Sequence, residues 1–160
     1  MARKKVSWGE GALFLVPQSD GQCSVGQVLK LTPGALNSVI CAFYDLRVKP
    51  RAAVSPDQLS EDRLISIQFT TPDLLRSGVW EIVGQGAPKY LERMTRLQAL
   101  ERADFVGAVV VGSGNMMDFL DAFYRLKPWD DYADPSYLDK LLLTPDKKPP
   151  RLVLTRTARS

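Results

Sequence analysis

The sequence contains no histidine, only two cysteines and no apolar run long enough to cross a bilayer. Each shortage removes a class of function. Without an imidazole, Ser-His-Asp and Cys-His machinery is excluded, because the group that takes the nucleophile's proton is missing. Cys23 and Cys41 alone cannot assemble a zinc site of thiolates and imidazoles. They read as two buried thiols, with a disulfide possible but unnecessary in a chain of this length. Apolar stretches such as 106–111 and 141–143 fall far short of the roughly 20 residues a membrane helix needs. The basic start, Arg3, Lys4 and Lys5, resembles that of a signal peptide, yet Glu10 and Gly11 interrupt what would be its apolar region. Retention in the cytoplasm is therefore expected, with residues 1–7 and 156–160 flexible.

What is present suits one compact domain over residues 1–160. The 45% hydrophobic content supports a single core without metals or staples. A net charge of +3 is too small to mark a nucleic-acid binder. Its distribution is uneven. Between Asp118 and Asp139 six aspartates face two basic residues, 2 − 6 = −4, whereas residues 144–160 carry five basic residues and Asp146, 5 − 1 = +4.

Turn residues divide the first half into strands. Residues 12–16 are apolar and closed by Pro17; Asp20-Gly21 supplies hairpin chemistry, and 23–31 alternates as a half-buried strand. Thr32-Pro33-Gly34 ends it. Residues 38–48 are rich in β-branched and aromatic side chains, 50–61 read as an exposed loop, and 64–70 alternate apolar and polar as a strand with one wet face. Thr71, Pro72 and Gly78 bracket a short helical turn, and 79–83 return to strand character. In the second half, 89–104 suit a helix or a loose connection and 105–111 a short strand. Residues 116–126 form a helix with Met116, Phe119, Leu120 and Phe123 on one face. Asp134-Pro135 opens a further helix through Leu142, and 151–155 suit an edge strand. The fold class expected is α+β: an N-terminal antiparallel β-sheet, a meander with barrel-like closure left open, packed with C-terminal helices.

Three motifs carry functional readings. Gly112-Ser113-Gly114-Asn115 before a helix could cradle a phosphate, but it lacks both the third glycine of a dinucleotide fingerprint and the Gly-Lys-Ser/Thr of a P-loop. Asp130, Asp131 and Asp134 could hold a divalent cation or act as acid and base, but they lack calcium-loop spacing, and helix capping by Asp134 with a solvated acidic surface accounts for most of the segment. Tyr124, Trp129, Tyr132 and Tyr137 interleave with Asp118, Asp121, Asp130, Asp131 and Asp134. Such residues serve as interface anchors as well as core, and together they read as a contact surface for a basic partner.

The stretch from Gly112 to Leu142, with Leu126-Lys127-Pro128-Trp129-Asp130 and Asp134-Pro135-Ser136-Tyr137-Leu138-Asp139-Lys140 as its most specific pieces, resembles the C-terminal signature of immunity protein family twenty-six of bacterial polymorphic toxin systems. Residues 11–17, 26–29, 42–45, 75–80 and 82–84 are also similar, so the likeness spans most of the chain. It departs from the family pattern at Arg125, where a glycine follows the aromatic pair. The resemblance implies a cytoplasmic protein without catalytic residues or cofactors. Its partner would be a cognate toxin domain encoded by a neighbouring gene, of a secreted polymorphic, type VI or Rhs-type effector, acting on nucleic acid or by ADP-ribosylation. No membrane or direct nucleic-acid contact is expected. Two rivals stand beside it: a small carboxylate- or metal-dependent enzyme, and a nucleic-acid-binding module using the basic termini.

Overall fold

Turn chemistry sets the first two strands. β1 (Ala12–Pro17) and β2 (Cys23–Thr32) pair antiparallel around a turn in which Gly21 takes φ +87° and Asp20 accepts the Gln22 amide at 3.1 Å. A positive φ costs glycine least. β3 (Ser38–Val48) and β4 (Leu64–Thr70) extend the meander. The computed structural model describes residues 8–155; the flexible termini expected at 1–7 and 156–160 lie outside the described residues.

The next strand leaves the meander. After helix α1 (Asp73–Ser77) the chain crosses the sheet, and β5 (Glu81–Gln85) pairs with β1 at the far edge. β6 (Val110–Val111) pairs parallel with β4, giving the order β5-β1-β2-β3-β4-β6. The sheet is mixed and open, so the barrel-like variant is corrected: β5 and β6 are two separate edges, each bonded to one neighbour.

Both faces of this sheet are covered. One face carries Phe14, Val28, Val39, Cys41, Phe43 and Trp80 against helix α3 (Ser113–Phe123) and Leu138, Leu141 and Leu142. The other carries Leu13, Val25, Ile40, Tyr44, Ile67 and Phe69 against Val54, Leu59, Met94 and Leu97, the last on helix α2 (Leu97–Arg102). Cys41 and Cys23 fall in different clusters, both free and buried. Among the described residues no helix is long and apolar enough to cross a membrane.

Tertiary contact overrode three local expectations. The polar side of β4 is buried, not wet: Ser66 and Gln68 both donate to the Leu141 carbonyl, the latter at 3.1 Å. That arrangement also explains why the helix expected after Asp134 is only a 3-10 turn, Leu138–Leu141. Leu143 must extend to donate its amide to Ile65 of β4 at 2.7 Å, and a helix continuing through this point would forgo both links to the sheet. The strands expected at 105–111 and 151–155 shrink to β6 and to a single bridge between Pro128 and Val153.

Candidate functional site

The N-terminus of α3, the proposed phosphate cradle, is already occupied by the chain's own groups. Ser113 donates its amide to Thr71 Oγ1 at 2.9 Å and its hydroxyl to Asp73 Oδ1 at 2.8 Å. A carboxylate therefore sits where a helix start attracts an anion. The hydrogen bond from Thr71, opposed by partial burial and aided by Ser113, holds the Asp73 carboxyl below the ordinary carboxylate range. The same helix begins at Ser113, three residues earlier than the apolar face suggested, and ends at Phe123.

From α3 onward the nine residues singled out in the sequence separate into different environments. Asp121 is buried on α3 and accepts the Ser19 amide at 3.4 Å. Trp129 is 1% exposed, packs on Phe119 at 5.7 Å and donates Nε1–H to Asp139 at 2.8 Å. Both are buried, so little of either side chain is offered to a partner. An indole needs both an apolar bed and one acceptor, and this pocket supplies both. Asp130 accepts the amide and hydroxyl of Thr155 at 2.7 and 3.0 Å, tying that residue to the turn after α3. Asp134 accepts the amide and hydroxyl of Ser136 and is paired with Lys140 at 2.7 Å. Hydrogen bonds from Lys140 and then Ser136 hold its carboxyl well below the ordinary range.

Asp130 and Asp134 are thus turned to different partners, and the described residues hold no group of three His, Cys, Asp or Glu side chains able to take a metal ion. The acidic run is largely neutralised within the chain, since Lys127 also pairs with Asp118 and Lys148 with Asp139. Asp131 is exposed and makes no hydrogen bond or ion pair among the described residues.

Four of the nine come together at the surface. Tyr132 and Tyr137, each half-buried, pack with ring centroids 4.9 Å apart and planes tilted by 48°. The Tyr132 hydroxyl reaches Asp118 Oδ2 at 3.5 Å, and Asn115 donates to the Tyr137 hydroxyl at 3.4 Å. Beside them Asp118, Lys127, Pro128, Asp131 and Tyr132 line a cavity of about 340 Å³. Burial and the field of Asp118 push the Tyr132 phenol up to about 12, so its hydroxyl is a hydrogen-bond donor across the physiological range.

Tyr124 belongs to a separate concavity. Its hydroxyl donates to Asp45 at 2.7 Å, and the Arg47 guanidinium lies 4.8 Å above its ring. Sequence reading did not bring Arg47 to this tyrosine; the two are joined only through the register of β3 and the placement of α3. Compared with protein-family models, curated proteins and solved structures, the chain matches none.

Proposed function

We propose that this chain is a non-enzymatic immunity protein that neutralises a cognate bacterial toxin in the cytoplasm by forming a stoichiometric complex with it. The toxin would be a secreted polymorphic, type VI or Rhs-type effector. The observation that carries the reading is the Tyr132–Tyr137 pair with exposed Asp131 beside it. Aromatic rings already held against each other lose little conformational entropy on contact, which is what a hot spot requires. An exposed carboxylate without a hydrogen bond or ion pair among the described residues offers a basic protein a charge that steers association. The resemblance of residues 112–142 to the immunity family supplies the class of partner.

The contact surface proposed is Asp118, Asp131, Tyr132 and Tyr137, narrower than the nine residues taken from the sequence. The test is co-expression with the product of the neighbouring gene. That product should be toxic alone, harmless with this chain present, and should co-purify with it. Replacing Tyr132 and Tyr137 by alanine should weaken the complex by about 2 kcal/mol, roughly 30-fold in Kd. A neighbouring product that is harmless alone, or that fails to co-purify, overturns the reading.

A further inference from the structure

We infer that the concavity beside the end of α3 binds an acidic segment of a protein, holding two of its carboxylates on Arg125 and Arg151. The inference goes beyond the toxin-binding reading and does not depend on it.

The concavity measures about 470 Å³, and its lining includes Asp45, Arg47, Tyr124, Arg125, Pro150 and Arg151. Its floor is built before any ligand arrives. Arg47 donates Nε–H to Gln18 at 2.9 Å and Nη2–H to both Asp20 oxygens at 2.6 Å, and its guanidinium stacks on Tyr124. Tyr124 is fixed in turn by Asp45 at 2.7 Å. This floor carries one guanidinium and two carboxylates, 1 − 2 = −1, all of them engaged within the chain. Arg125 and Arg151, by contrast, are exposed and have no hydrogen-bond or ion-pair partner among the described residues. Pro149 and Pro150 precede Arg151, and two fixed φ angles hold that arginine's backbone stiffly at the rim.

Arg125 occupies a position that backbone physics reserves for another residue. α3 ends in a Schellman turn: Leu126 donates its amide to Asp121 at 2.8 Å, and Arg125 donates to Ala122 at 3.1 Å. The residue at its centre must be left-handed, and Arg125 has φ +65°. Glycine takes that conformation without penalty, whereas a side chain is strained in it. At α1 the corresponding residue is Gly78, with φ +82°.

The charge pattern selects the occupant. The two free guanidiniums share the cavity with Arg47 and Asp45, and Asp20 is paired with Arg47, so the local sum, 3 − 2 = +1, is small and patterned. A nucleic acid, with a charge at every phosphate, would meet those carboxylates as well as the arginines. A peptide presents carboxylates only at chosen positions, and a planar carboxylate matches a guanidinium with two parallel hydrogen bonds. The tyrosine and proline faces between them suit the apolar stems of glutamates.

The test is fluorescence anisotropy on the intact protein with fluorescein-labelled hexaglutamate, alongside hexalysine and a six-residue oligouridylate. Hexaglutamate should bind, hexalysine should not, and the affinity should fall as salt rises from about 50 to about 300 mM. The double substitution R125E/R151E should weaken hexaglutamate binding by about tenfold or more. Arg125→Gly relieves the left-handed strain, so it should keep a thermal midpoint at or above the parent's and still weaken the peptide several-fold. No binding at millimolar hexaglutamate, unchanged affinity in both variants, or tighter binding of the oligouridylate overturns the inference. Because the probe is a peptide and not the neighbouring gene's product, failure here and failure of the toxin reading are distinguishable.

Discussion

Replacing Trp129 by alanine separates two roles that look alike in the sequence, interface anchor and core residue. The side chain is 1% exposed and rests on Phe119 of α3, and its backbone amide donates to Val153 at 2.8 Å. Removing a fully buried indole typically costs about 3–5 kcal/mol, through lost burial and the cavity left behind. The hydrogen bond to Asp139 adds little beyond that. Asp139 keeps Lys148 at 2.9 Å and is 38% exposed, so water replaces the lost donor. With a urea dependence of about 2 kcal/mol per molar, a loss of about 4 kcal/mol moves the unfolding midpoint down by about 2 M. The assay is urea denaturation followed by circular dichroism, paired with partner binding at low temperature. The folded fraction of the variant should bind as the parent does, because Trp129 reaches no surface. A midpoint shift below about 0.5 M, accompanied by loss of binding, would refute the placement of this residue in the core.

Two further perturbations probe the sheet and the phenols. Gly26 faces the stacked rings of Phe14 and Trp80, 5.1 Å apart; a Cβ there would lie 2.5 Å from Phe14 Cζ and 2.9 Å from the Ala42 carbonyl. Gly26→Ala should therefore cost about 2 kcal/mol and lower the thermal midpoint by about 4–8 °C, and an unchanged midpoint would contradict the packing described. Burial raises the phenols of Tyr44 and Tyr124 above the ordinary value, and Tyr132 goes up to about 12. The folded chain then holds these protons more tightly than the unfolded chain, whose tyrosines ionise near 10. The phenols' contribution to stability should be constant below about pH 10 and fall as pH rises from about 10 through about 12, added to a loss that the buried Cys41 thiol begins near pH 9. Phenolate absorbance and urea midpoints across that range check it; all the phenols ionising near pH 10 without loss of stability would count against it.

Much of the strand framework was legible because it is punctuated locally. Pro17, the Asp20-Gly21 turn and Thr32-Pro33-Gly34 bracket β1 and β2, and β3 and β4 occupy the ranges read from their side chains. The face of α3 was equally plain, since Met116, Phe119 and Leu120 recur at helical spacing and are all buried. Arg125 closes a regular helix-ending turn. Hydrogen bonds to the carbonyls of the last helical turn define that turn, whichever side chain stands at its centre.

The sequence by itself determined where the chain turns, which stretches extend and which helix face is apolar, because those properties depend on neighbours within a few residues. Only the tertiary structure decided that β5 crosses to the far edge and that the polar face of β4 is roofed by Leu141. It also turned the expected second helix into a 3-10 turn, since the amide of Leu143 and the carbonyl of Leu141 find partners on β4. The same holds for the candidate site. Six aspartates in a row of sequence read as one acidic surface, yet lysines, a threonine and a backbone amide claim five of them and leave Asp131 exposed beside Tyr132. Charge along a chain sums by position, whereas a binding surface depends on which of those charges remain unpaired after folding, and pairing is a property of contacts between distant segments.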